Sequence, residues 1–379
     1  MAGRYDVIVA GLGAMGSASA CHLAARGRRV LGLERFVPGH ALGSSHGDSR
    51  IIRELYFEHP LYVPLVQRAY ELWEELERSA GTPLLHVGGG LMVGPREGML
   101  VTGTLRSAKE HGLPCELLSP AEVRARFPAF RIADDYVAVR DPRAGFLRPE
   151  VCTGAHLALA ARHGAELRFE EPILAWEPDG AGVRVRTPAG TFTADRLLLT
   201  AGAWTRGLLR DFDLPLAVER QVTFWFDPPA GIGEYEPGRS PIYAWEHTPG
   251  YIGYGFPRLE RGVKAALMHQ GEVAARPEEV RRTVNEDEVE PLRAALRQVL
   301  PGVAEAPVRA SAVCLFTNTP DTDFAVGFHP GHPQVLVSTP CSGHGFKFAS
   351  AIGELHADLL THGRPRFDLT PFRLDRFAD

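Results

Sequence analysis

Short apolar runs and one amphipathic stretch follow each other at the start of the chain. Residues 6–10 form an apolar run, residues 17–26 place Ala20, Leu23 and Ala24 on one helical face, and residues 29–33 form a second apolar run. Runs of this length predict strands, and the spacing between them predicts a helix. The order strand, helix, strand is that of a β-α-β unit with a parallel sheet.

The turn between the first strand and the helix reads Gly11-Leu12-Gly13-Ala14-Met15-Gly16, and Glu34 ends the second strand. This is the GxGxxG pattern in the context that dinucleotide binding requires. The glycines permit a tight turn and a close approach to a pyrophosphate, and the acidic residue is placed to bind a ribose. The bland alternative is a glycine turn that only packs a helix on a sheet. The pattern alone does not choose between NAD and FAD.

A second group of strands is predicted later in the chain. Alternating, β-branched or aromatic residues mark 218–226, 241–246, 251–256, 263–268 and 308–316. Such patterns are typical of antiparallel strands. Before this group, an apolar strand at 195–199 ends in the small-residue turn Ala201-Gly202-Ala203-Trp204. This strand predicts a return of the chain to the first sheet.

The order of these patterns predicts an α/β protein of two domains (α+β in layout), in which a Rossmann-like nucleotide domain carries an inserted antiparallel-sheet domain for the substrate. The predicted nucleotide domain comprises residues 1–85, 145–217 and 322–379, and the inserted domain comprises 86–144 and 218–321. FAD proteins of the two-dinucleotide-binding type have this discontinuous layout. NAD-dependent dehydrogenases usually complete their sheet in one run.

Composition narrows the class of protein. The formal net charge of the 379 residues is −5, which gives nucleic acid or an anionic membrane no basic field to bind. No apolar run approaches the ~20 residues of a membrane span, and the first strand begins too early for a signal peptide, so we expect a cytoplasmic protein. The five cysteines are scattered and predict neither a disulfide framework nor a metal site. Lysine is rare, and the three lysines are Lys109, Lys264 and Lys347.

The segment Ser44 to Arg53 carries two arginines, Arg50 and Arg53, three residues apart with Ile51 and Ile52 between them. This spacing predicts that both lie on one helical face. They could be solvated surface arginines. The isoleucines instead favour partial burial, and buried guanidinium groups need anionic partners, which a flavin or a substrate carboxylate would supply.

Four segments together resemble the monomeric sarcosine oxidase family of amine-oxidising flavoproteins, which includes N-methyltryptophan and pipecolate oxidases. These segments are 11–16, 45–53 (Ser-His-Gly-Asp-Ser-Arg-Ile-Ile-Arg), 312–317 (Ala-Val-Cys-Leu-Phe-Thr) and 342–348 (Ser-Gly-His-Gly-Phe-Lys-Phe). The resemblance extends over essentially the whole chain. It implies FAD as the cofactor, O2 as the acceptor and a monomeric protein.

The resemblance also implies that FAD is attached by an 8α-cysteinyl thioether to Cys314, which on sequence grounds alone would be a core cysteine. Formation of the thioether needs a thiolate, for which His46 and Arg50 are the candidate neighbours. Cys341 is not the attachment residue in this pattern. The glycine motif and the resemblance together assign to FAD binding Gly11, Gly13, Ala14, Met15, Gly16, Glu34, Arg35, His46, Ser49, Arg50, Ile51, Ala201, Gly202, Trp204, Cys314, Gly343, His344, Gly345, Phe346 and Lys347.

For the substrate, the resemblance implies a carboxylate clamp made by Arg53 and Lys347, with Tyr254, His269 and Trp245 in the pocket wall. Trp245 either narrows the pocket or packs under the strands. The residues implied in catalysis are Lys264, Arg50, His46, Tyr254, His269 and His344. Of these, His344 is expected close to the amine and Lys264 near flavin N5, where an ammonium helps O2 accept electrons. The spacing from Lys264 to His269 is one residue longer than in the family pattern.

The resulting hypothesis is an oxidase that converts sarcosine, O2 and water into glycine, formaldehyde and H2O2. One alternative is an oxidase of N-methyltryptophan, pipecolate or proline-like acids, or a dehydrogenase of the same fold with another acceptor. Another is a flavin- or NAD-binding module that has lost catalysis, against which the retained Arg53, Lys264 and Lys347 argue.

Overall fold

The computed structural model describes residues 4–229 and 233–377. Its strands are β1 (Tyr5–Ala10), β2 (Val30–Leu33), β3 (Arg50–Ile52), β4 (Leu85–Val87), β5 (Gly90–Pro95), β6 (Glu116–Leu118), β7 (Tyr136–Asp141), β8 (Gly145–Leu147), β9 (Glu166–Arg168), β10 (Ala175–Asp179), β11 (Gly182–Thr187), β12 (Gly190–Leu199), β13 (Ala217–Phe226), β14 (Ile242–Thr248), β15 (Tyr251–Leu259), β16 (Gly262–Leu267), β17 (Val273–Ala274), β18 (Val308–Asn318), β19 (Ala325–His329) and β20 (His332–Thr339). Its helices are α1 (Ala14–Ala25), α2 (Val63–Ala80), α3 (Met99–His111), α4 (Pro120–Arg126), α5 (Pro149–Arg162), α6 (Thr205–Leu208), α7 (Glu290–Leu296), α8 (Pro301–Ala304) and α9 (Ala349–His362).

An eight-stranded sheet carries the predicted β-α-β unit. Its order is β10-β11-β12-β1-β2-β9, with β20 beside β12 and β19 beside β20. Strands β9, β2, β1, β12 and β20 run parallel. Helices α5 and α9 pack against α1. Because side chains alternate across a strand, Val7 and Val9 enter one core cluster and Ile8 and Ala10 enter another. The predicted α/β class is confirmed.

A nine-stranded sheet forms a second layer. Its order is β17-β13-β16-β15-β14-β5-β7-β6, with β18 beside β13. The pairings are antiparallel except that of β14 with β5. Its strands come from residues 90–141 and 217–318, and those of the eight-stranded sheet come from 5–33, 166–199 and 325–339. The domain boundaries themselves stay a prediction, and residues 1–3 and 378–379 of the predicted nucleotide domain lie outside the described residues.

The segment expected to place two arginines on a helical face is a strand. Residues 50–52 form β3, which pairs with β8, and β8 also pairs with β4. The predicted helical face is therefore wrong. The two β-branched isoleucines instead join a three-stranded sheet, whose other strands lie far away in the sequence. In the part of the chain that the structure describes, no helix combines the length and apolarity needed to cross a bilayer.

Candidate active site

The turn after β1 follows a tight backbone path. Gly11 has a φ of +90°, and an added Cβ there would lie 2.8 Å from the backbone oxygen of Thr200. A Cβ on Gly16 would lie 1.8 Å from the oxygen of Gly11, so this glycine lets α1 pack on the turn. A Cβ on Gly13 would meet the Ser45 hydroxyl at an ordinary 3.4 Å, which leaves its surface accessible to a ligand.

The N-terminus of α1 and the Glu34 carboxylate meet at this turn. The first turn of α1 holds no acidic side chain, and the backbone N–H of Ala14 donates to Ser45 Oγ over 3.1 Å. Glu34 accepts from the N–H groups of Leu12 at 2.8 Å and Phe36 at 3.1 Å. A helix N-terminus free of acidic groups favours a phosphate, and a carboxylate beside it favours a ribose.

A cavity of about 720 Å³ extends from this turn to the nine-stranded sheet. The predicted site residues that line it are Gly11, Gly13, Ala14, Met15, Glu34, Arg35, Arg50, Ile51, Arg53, Ala201, Gly202, Trp204, Tyr254, Cys314, Gly343, His344, Gly345, Phe346 and Lys347. The predicted site residues outside its lining are Gly16, His46, Ser49, Trp245, Lys264 and His269. The fold thus brings all four sequence segments, 11–16, 45–53, 312–317 and 342–348, to one cavity.

A small polar and aromatic cluster lies at the nucleotide end of the cavity. Glu278 Oε1 accepts from Trp204 Nε1 at 2.7 Å and from Arg35 Nη1 at 2.9 Å. Phe36 packs edge-on against Trp204 with ring centroids 5.2 Å apart. Glu278 is not among the predicted site residues.

Two buried polar atoms behind the cavity have no hydrogen-bond partner among the described residues. These are Nε2 of His46 and Oγ of Ser49. Burial, and then the charge of Arg50, lower the pKa of His46 to about 4, so the ring is neutral. Orphaned buried polar atoms are rare in proteins and indicate a missing partner. Together with the glycine turn and Glu34, they fit a bound flavin dinucleotide.

Lys264 holds the backbone of the turn between these two residues. Its Nζ donates to the oxygens of Gly47 at 2.6 Å and Ser49 at 2.9 Å, and it lies 4.9 Å from the ring centroid of Phe256. Burial, and then Arg50, lower its pKa well below the ordinary value. The ammonium therefore sits behind the turn rather than in the cavity lining, and its predicted place near flavin N5 stays a prediction.

The thiol of Cys314 lies in the cavity wall beside a cation. Arg50 Nη2 donates to Sγ over 3.3 Å, and the same nitrogen donates to the Ser44 oxygen at 2.8 Å, which fixes the guanidinium. Cys341 also lines the cavity, but burial raises the pKa of its thiol to about 12. A thiolate forms more readily next to a guanidinium than in apolar surroundings. The environment therefore favours Cys314 over Cys341 as a nucleophile.

Arg53 and Lys347 lie at the far end of the cavity, as the predicted clamp requires. The guanidinium of Arg53 and the ammonium of Lys347 lie 4.2 and 5.2 Å from the ring centroid of Tyr56. Nη2 of Arg53 contacts both oxygens of Glu58, at 2.6 and 2.5 Å. Burial, and then Arg53, lower the pKa of Lys347 to about 7, while Glu58 acts in the opposite direction. Glu58 was not predicted, although it stands only five residues after the arginine.

His344 lines the cavity but uses both ring nitrogens on the protein. Nδ1 lies 2.5 Å from the Tyr56 hydroxyl, and Nε2 lies 3.0 Å from the Thr322 backbone oxygen. The carbonyl can only accept, so we assign the proton to Nε2 and the tyrosine hydroxyl as donor to Nδ1. Burial lowers the pKa of His344 to about 4. These contacts brace the loop 342–348, and the place of His344 close to the amine stays a prediction.

His269 stands at the edge of the cavity with a carboxylate behind it. Its Nδ1 lies 3.1 Å from Glu219 Oε2, and its Nε2 lies 3.2 Å from the position that a Cβ on Gly343 would take. The φ of His269 is +53°, a strained conformation for a non-glycine residue. Tyr254 lies directly in the lining, and burial raises its pKa to about 12.

Trp245 does not enter the pocket wall. It is completely buried, and a Cβ on Gly253 would lie 2.4 Å from its ring, on the face of β15 opposite the cavity. Its neighbour Ala244 lines the cavity instead. Successive side chains of a strand point to opposite faces, so only one of the two can face a ligand. The prediction of Trp245 as a substrate contact is wrong.

The comparisons with known proteins agree with this site. A family model described as FAD dependent oxidoreductase matches residues 6–359. The chain belongs to the FAD-dependent oxidoreductase family. Within this family, monomeric sarcosine oxidase of Streptomyces avermitilis is 48% identical over 382 residues, which cover 100% of this chain and 99% of that protein. N-methyl-L-tryptophan oxidase of Salmonella agona is 36% identical over 378 residues, which cover 99% of this chain and 100% of that protein.

Solved structures of other proteins have the same architecture. NikD, an unusual amino acid oxidase essential for nikkomycin biosynthesis, superposes in its open form with a TM-score of 0.83 at 26% identity, covering 98% of this chain and 97% of that one. L-proline dehydrogenase from P. horikoshii has a TM-score of 0.86 at 20% identity, which shows the fold alone. The predicted membership in the sarcosine oxidase family, the FAD cofactor and the class of flavoprotein amine oxidase are confirmed.

Proposed function

We propose that this protein oxidises sarcosine with O2 and water to glycine, formaldehyde and H2O2. The observation that carries the proposal is the pair Arg53 and Lys347, which line the cavity and whose charges lie against one tyrosine ring. A guanidinium and an ammonium next to each other suit a carboxylate. The 48% identity to a monomeric sarcosine oxidase supports a small N-methyl amino acid as the substrate that carries this carboxylate.

The carboxylate of the substrate binds between these two cations. Glu58 already occupies one edge of Arg53, so an entering carboxylate shares that guanidinium or replaces Glu58 there. The bound carboxylate also favours the charged form of Lys347. Fixing one end of a small zwitterion orients its N-methyl group, and such orientation lowers the barrier by several kcal/mol.

The remaining wall acts on the amine. Apolar side chains of Phe57, Ile252, Phe256 and Met268 line the same cavity, and Phe57 lies against the Arg53 guanidinium. An apolar and cationic environment lowers the pKa of an ammonium and so favours the neutral amine, which is the form that can be oxidised. Tyr254 on β15 confines the amine from the same wall.

When bound, FAD would accept two electrons from the amine and pass them to O2. The glycine turn, Glu34, His46 and Ser49 would hold it, and Cys314 would carry it through a thioether at the 8α carbon. The hydrogen bond from Arg50 to the Cys314 thiol supports this attachment. Lys264, held on the turn that carries Ser49, would supply positive charge for oxygen reduction. We further propose that the protein acts as a monomer in the cytoplasm.

A second candidate substrate is a larger secondary amino acid. Ala244 is small and faces the cavity where its bulky neighbour Trp245 does not, which leaves space beside the substrate carbon. The 36% identity to an N-methyl-L-tryptophan oxidase supports the same possibility. Pipecolate and proline-like acids belong to this group.

The experiment is a panel of amines scored for H2O2 release. The panel contains sarcosine, N-methyl-L-tryptophan, L-pipecolate, L-proline and, as the matched control, sarcosine amide, which lacks the carboxylate. We expect sarcosine to give equal amounts of H2O2 and formaldehyde, and the amide to react far more slowly. Turnover of N-methyl-L-tryptophan alone would establish the second candidate, and no turnover of any secondary amino acid would contradict both.

A further inference from the structure

A second guanidinium, that of Arg282, shares a loop with the Cys314 thiol. Nη2 of Arg282 donates to the backbone oxygen of Leu42 over 2.9 Å. The next two backbone oxygens, of Gly43 and Ser44, lie 3.9 and 3.7 Å from Cys314 Sγ. Three consecutive residues of one loop therefore connect the guanidinium with the thiol.

The other terminal nitrogen of Arg282 lacks an acceptor. Nη1 is buried and has no hydrogen-bond partner within the described ranges 4–229 and 233–377. A buried charged donor without an acceptor is costly, so such a group is expected to have an anion nearby in the working protein. Burial lowers the pKa of the Arg282 guanidinium, and the charge of an ionised Cys314 acts in the opposite direction. An ionised Cys314, which contacts the same loop, would supply such an anion.

The surroundings of the two cavity thiols differ in the same sense. Cys314 accepts a hydrogen bond from Arg50 and shares its loop with Arg282. For Cys341 the structure offers burial and the neighbouring Cys314, both of which raise its pKa. The titratable and charged groups that face Cys314 are Arg50, Lys264, Tyr254, Arg282 and Cys341. Of these, Arg282 has no place in the substrate site.

We propose that Arg282 is a positioning residue for cofactor attachment. It stabilises the Cys314 thiolate from the side of the loop 42–44, while Arg50, in the segment 45–53, stabilises the thiolate from another side. The inference rests on the proposed attachment of FAD at Cys314 and assigns the chain a second cation for that step. Arg282 contributes to making the holoenzyme and not to amine oxidation.

The attachment step balances without an added reagent beyond O2. A bond forms between Cys314 Sγ and the 8α carbon of FAD, the thiol loses its proton, and the 8α carbon loses one hydrogen as a proton. The two electrons of the broken C–H bond remain on the flavin, which is thereby reduced. O2 then takes up these two electrons and the two protons as H2O2, and the oxidised thioether-linked flavin results.

The test follows attachment rather than turnover. The full chain is produced without flavin and mixed with saturating FAD, samples are precipitated with acid over time, and flavin fluorescence of the pellet is measured. We expect Arg282→Met to slow acid-stable incorporation about tenfold, because removing a neighbouring opposite charge moves an ionisation by one pH unit or more. Arg282→Lys, which keeps the charge, restores most of the rate.

Two comparisons separate the effect of the Arg282 charge from an effect on the structure of the loop. The matched control is Arg281→Met, since Arg281 pairs with Glu272 and Glu288 instead and its loss leaves the attachment rate unchanged. In a Cys314→Ser background, the dissociation constant of FAD is expected to be the same with and without Arg282→Met. For the attachment rate, Arg282→Met and Arg281→Met are compared with the unsubstituted chain under the same conditions.

An unchanged attachment rate in Arg282→Met would overturn the inference. A weakened FAD affinity that Arg282→Lys fails to restore would also overturn it, since Arg282 would then only hold the loop. Absence of acid-stable flavin in the unsubstituted chain would contradict the attachment at Cys314 itself. That result is distinguishable from the others, because it appears before any variant is made.

Discussion

Replacement of Lys347 by methionine should abolish the pH dependence of carboxylate affinity. Lys347 is buried, donates to the His344 backbone oxygen at 2.7 Å and lies near the guanidinium of Arg53. Its pKa of about 7 means that the ammonium is charged below neutral pH and loses its proton as the pH rises through about 7. A carboxylate binds the charged form, so its affinity is highest at low pH.

The size of the effect follows from this titration. At pH 8 roughly one-tenth of the free enzyme carries the charge, so the apparent Kd of a carboxylate is about tenfold weaker than at pH 6. A charge-assisted hydrogen bond contributes about 1.5–3 kcal/mol, so Lys347→Met should weaken binding at pH 6 by about 10- to 150-fold. His344, whose pKa is about 4, stays neutral over this range and does not add to the slope.

The assay is a titration of the holoenzyme with acetate at pH 6, 7 and 8, followed by the change in flavin absorption. The unsubstituted protein should show the tenfold weakening, and Lys347→Met should show weak and pH-independent binding. The matched control is Lys109→Met, since Lys109 is exposed in the last turn of α3. A Lys347→Met protein that keeps the pH slope would refute the assignment of that slope to this ammonium.

Three further predictions concern the cofactor, oxygen and selectivity. Cys314→Ser should release its flavin into the supernatant on acid precipitation, while Cys341→Ser retains it in the pellet; retention by both would place the attachment elsewhere. Lys264→Met should slow reoxidation of the flavin by O2 more than its anaerobic reduction, and stopped-flow traces with the reverse order would remove its proposed role. Ala244→Leu should raise KM for N-methyl-L-tryptophan more than for sarcosine, because the added side chain enters the cavity. Trp245→Phe, on the opposite face, should lower Tm and leave the ratio of the two KM values unchanged.

Local signals in the sequence were sufficient for the nucleotide turn. Gly11 and Gly16 occupy positions where a side chain would collide with backbone, and Glu34 lies at the end of a strand whose apolar pattern is continuous. Each of these requirements is contained in about thirty neighbouring residues, as expected for a β-α-β unit. For this reason the pattern predicted both the elements and their order.

Features that depend on the pairing of distant strands could not be predicted from local patterns. The spacing of Arg50 and Arg53 fits a helix, but β3 exists because residues 145–147 pair with it. The choice between Ala244 and Trp245 depends on strand register, which alternation alone leaves open by one residue. Glu58 belongs to the site through its ion pair with Arg53, a contact that no sequence pattern indicates. Cys314 was selected by family resemblance, and the guanidinium beside it comes from a segment far away in the chain.

The fold that this chain shares with the solved structures does not determine its substrate. The solved relatives include an amino acid oxidase and a proline dehydrogenase at TM-scores of 0.83 and 0.86. One fold therefore serves several amines and acceptors, and function has to be argued from the site. For this chain, the proposed substrates rest on the two cations, Arg53 and Lys347, and on the small side chain of Ala244 in the cavity wall.

The most direct test is anaerobic mixing of the purified holoenzyme with sarcosine or with sarcosine amide while the visible flavin band is recorded. A flavin that faces a carboxylate clamp made by Arg53 and Lys347 should be bleached rapidly and completely by sarcosine, and only slowly by the amide. Equal rates with the two compounds, or no bleaching by any secondary amino acid, would contradict the proposed site.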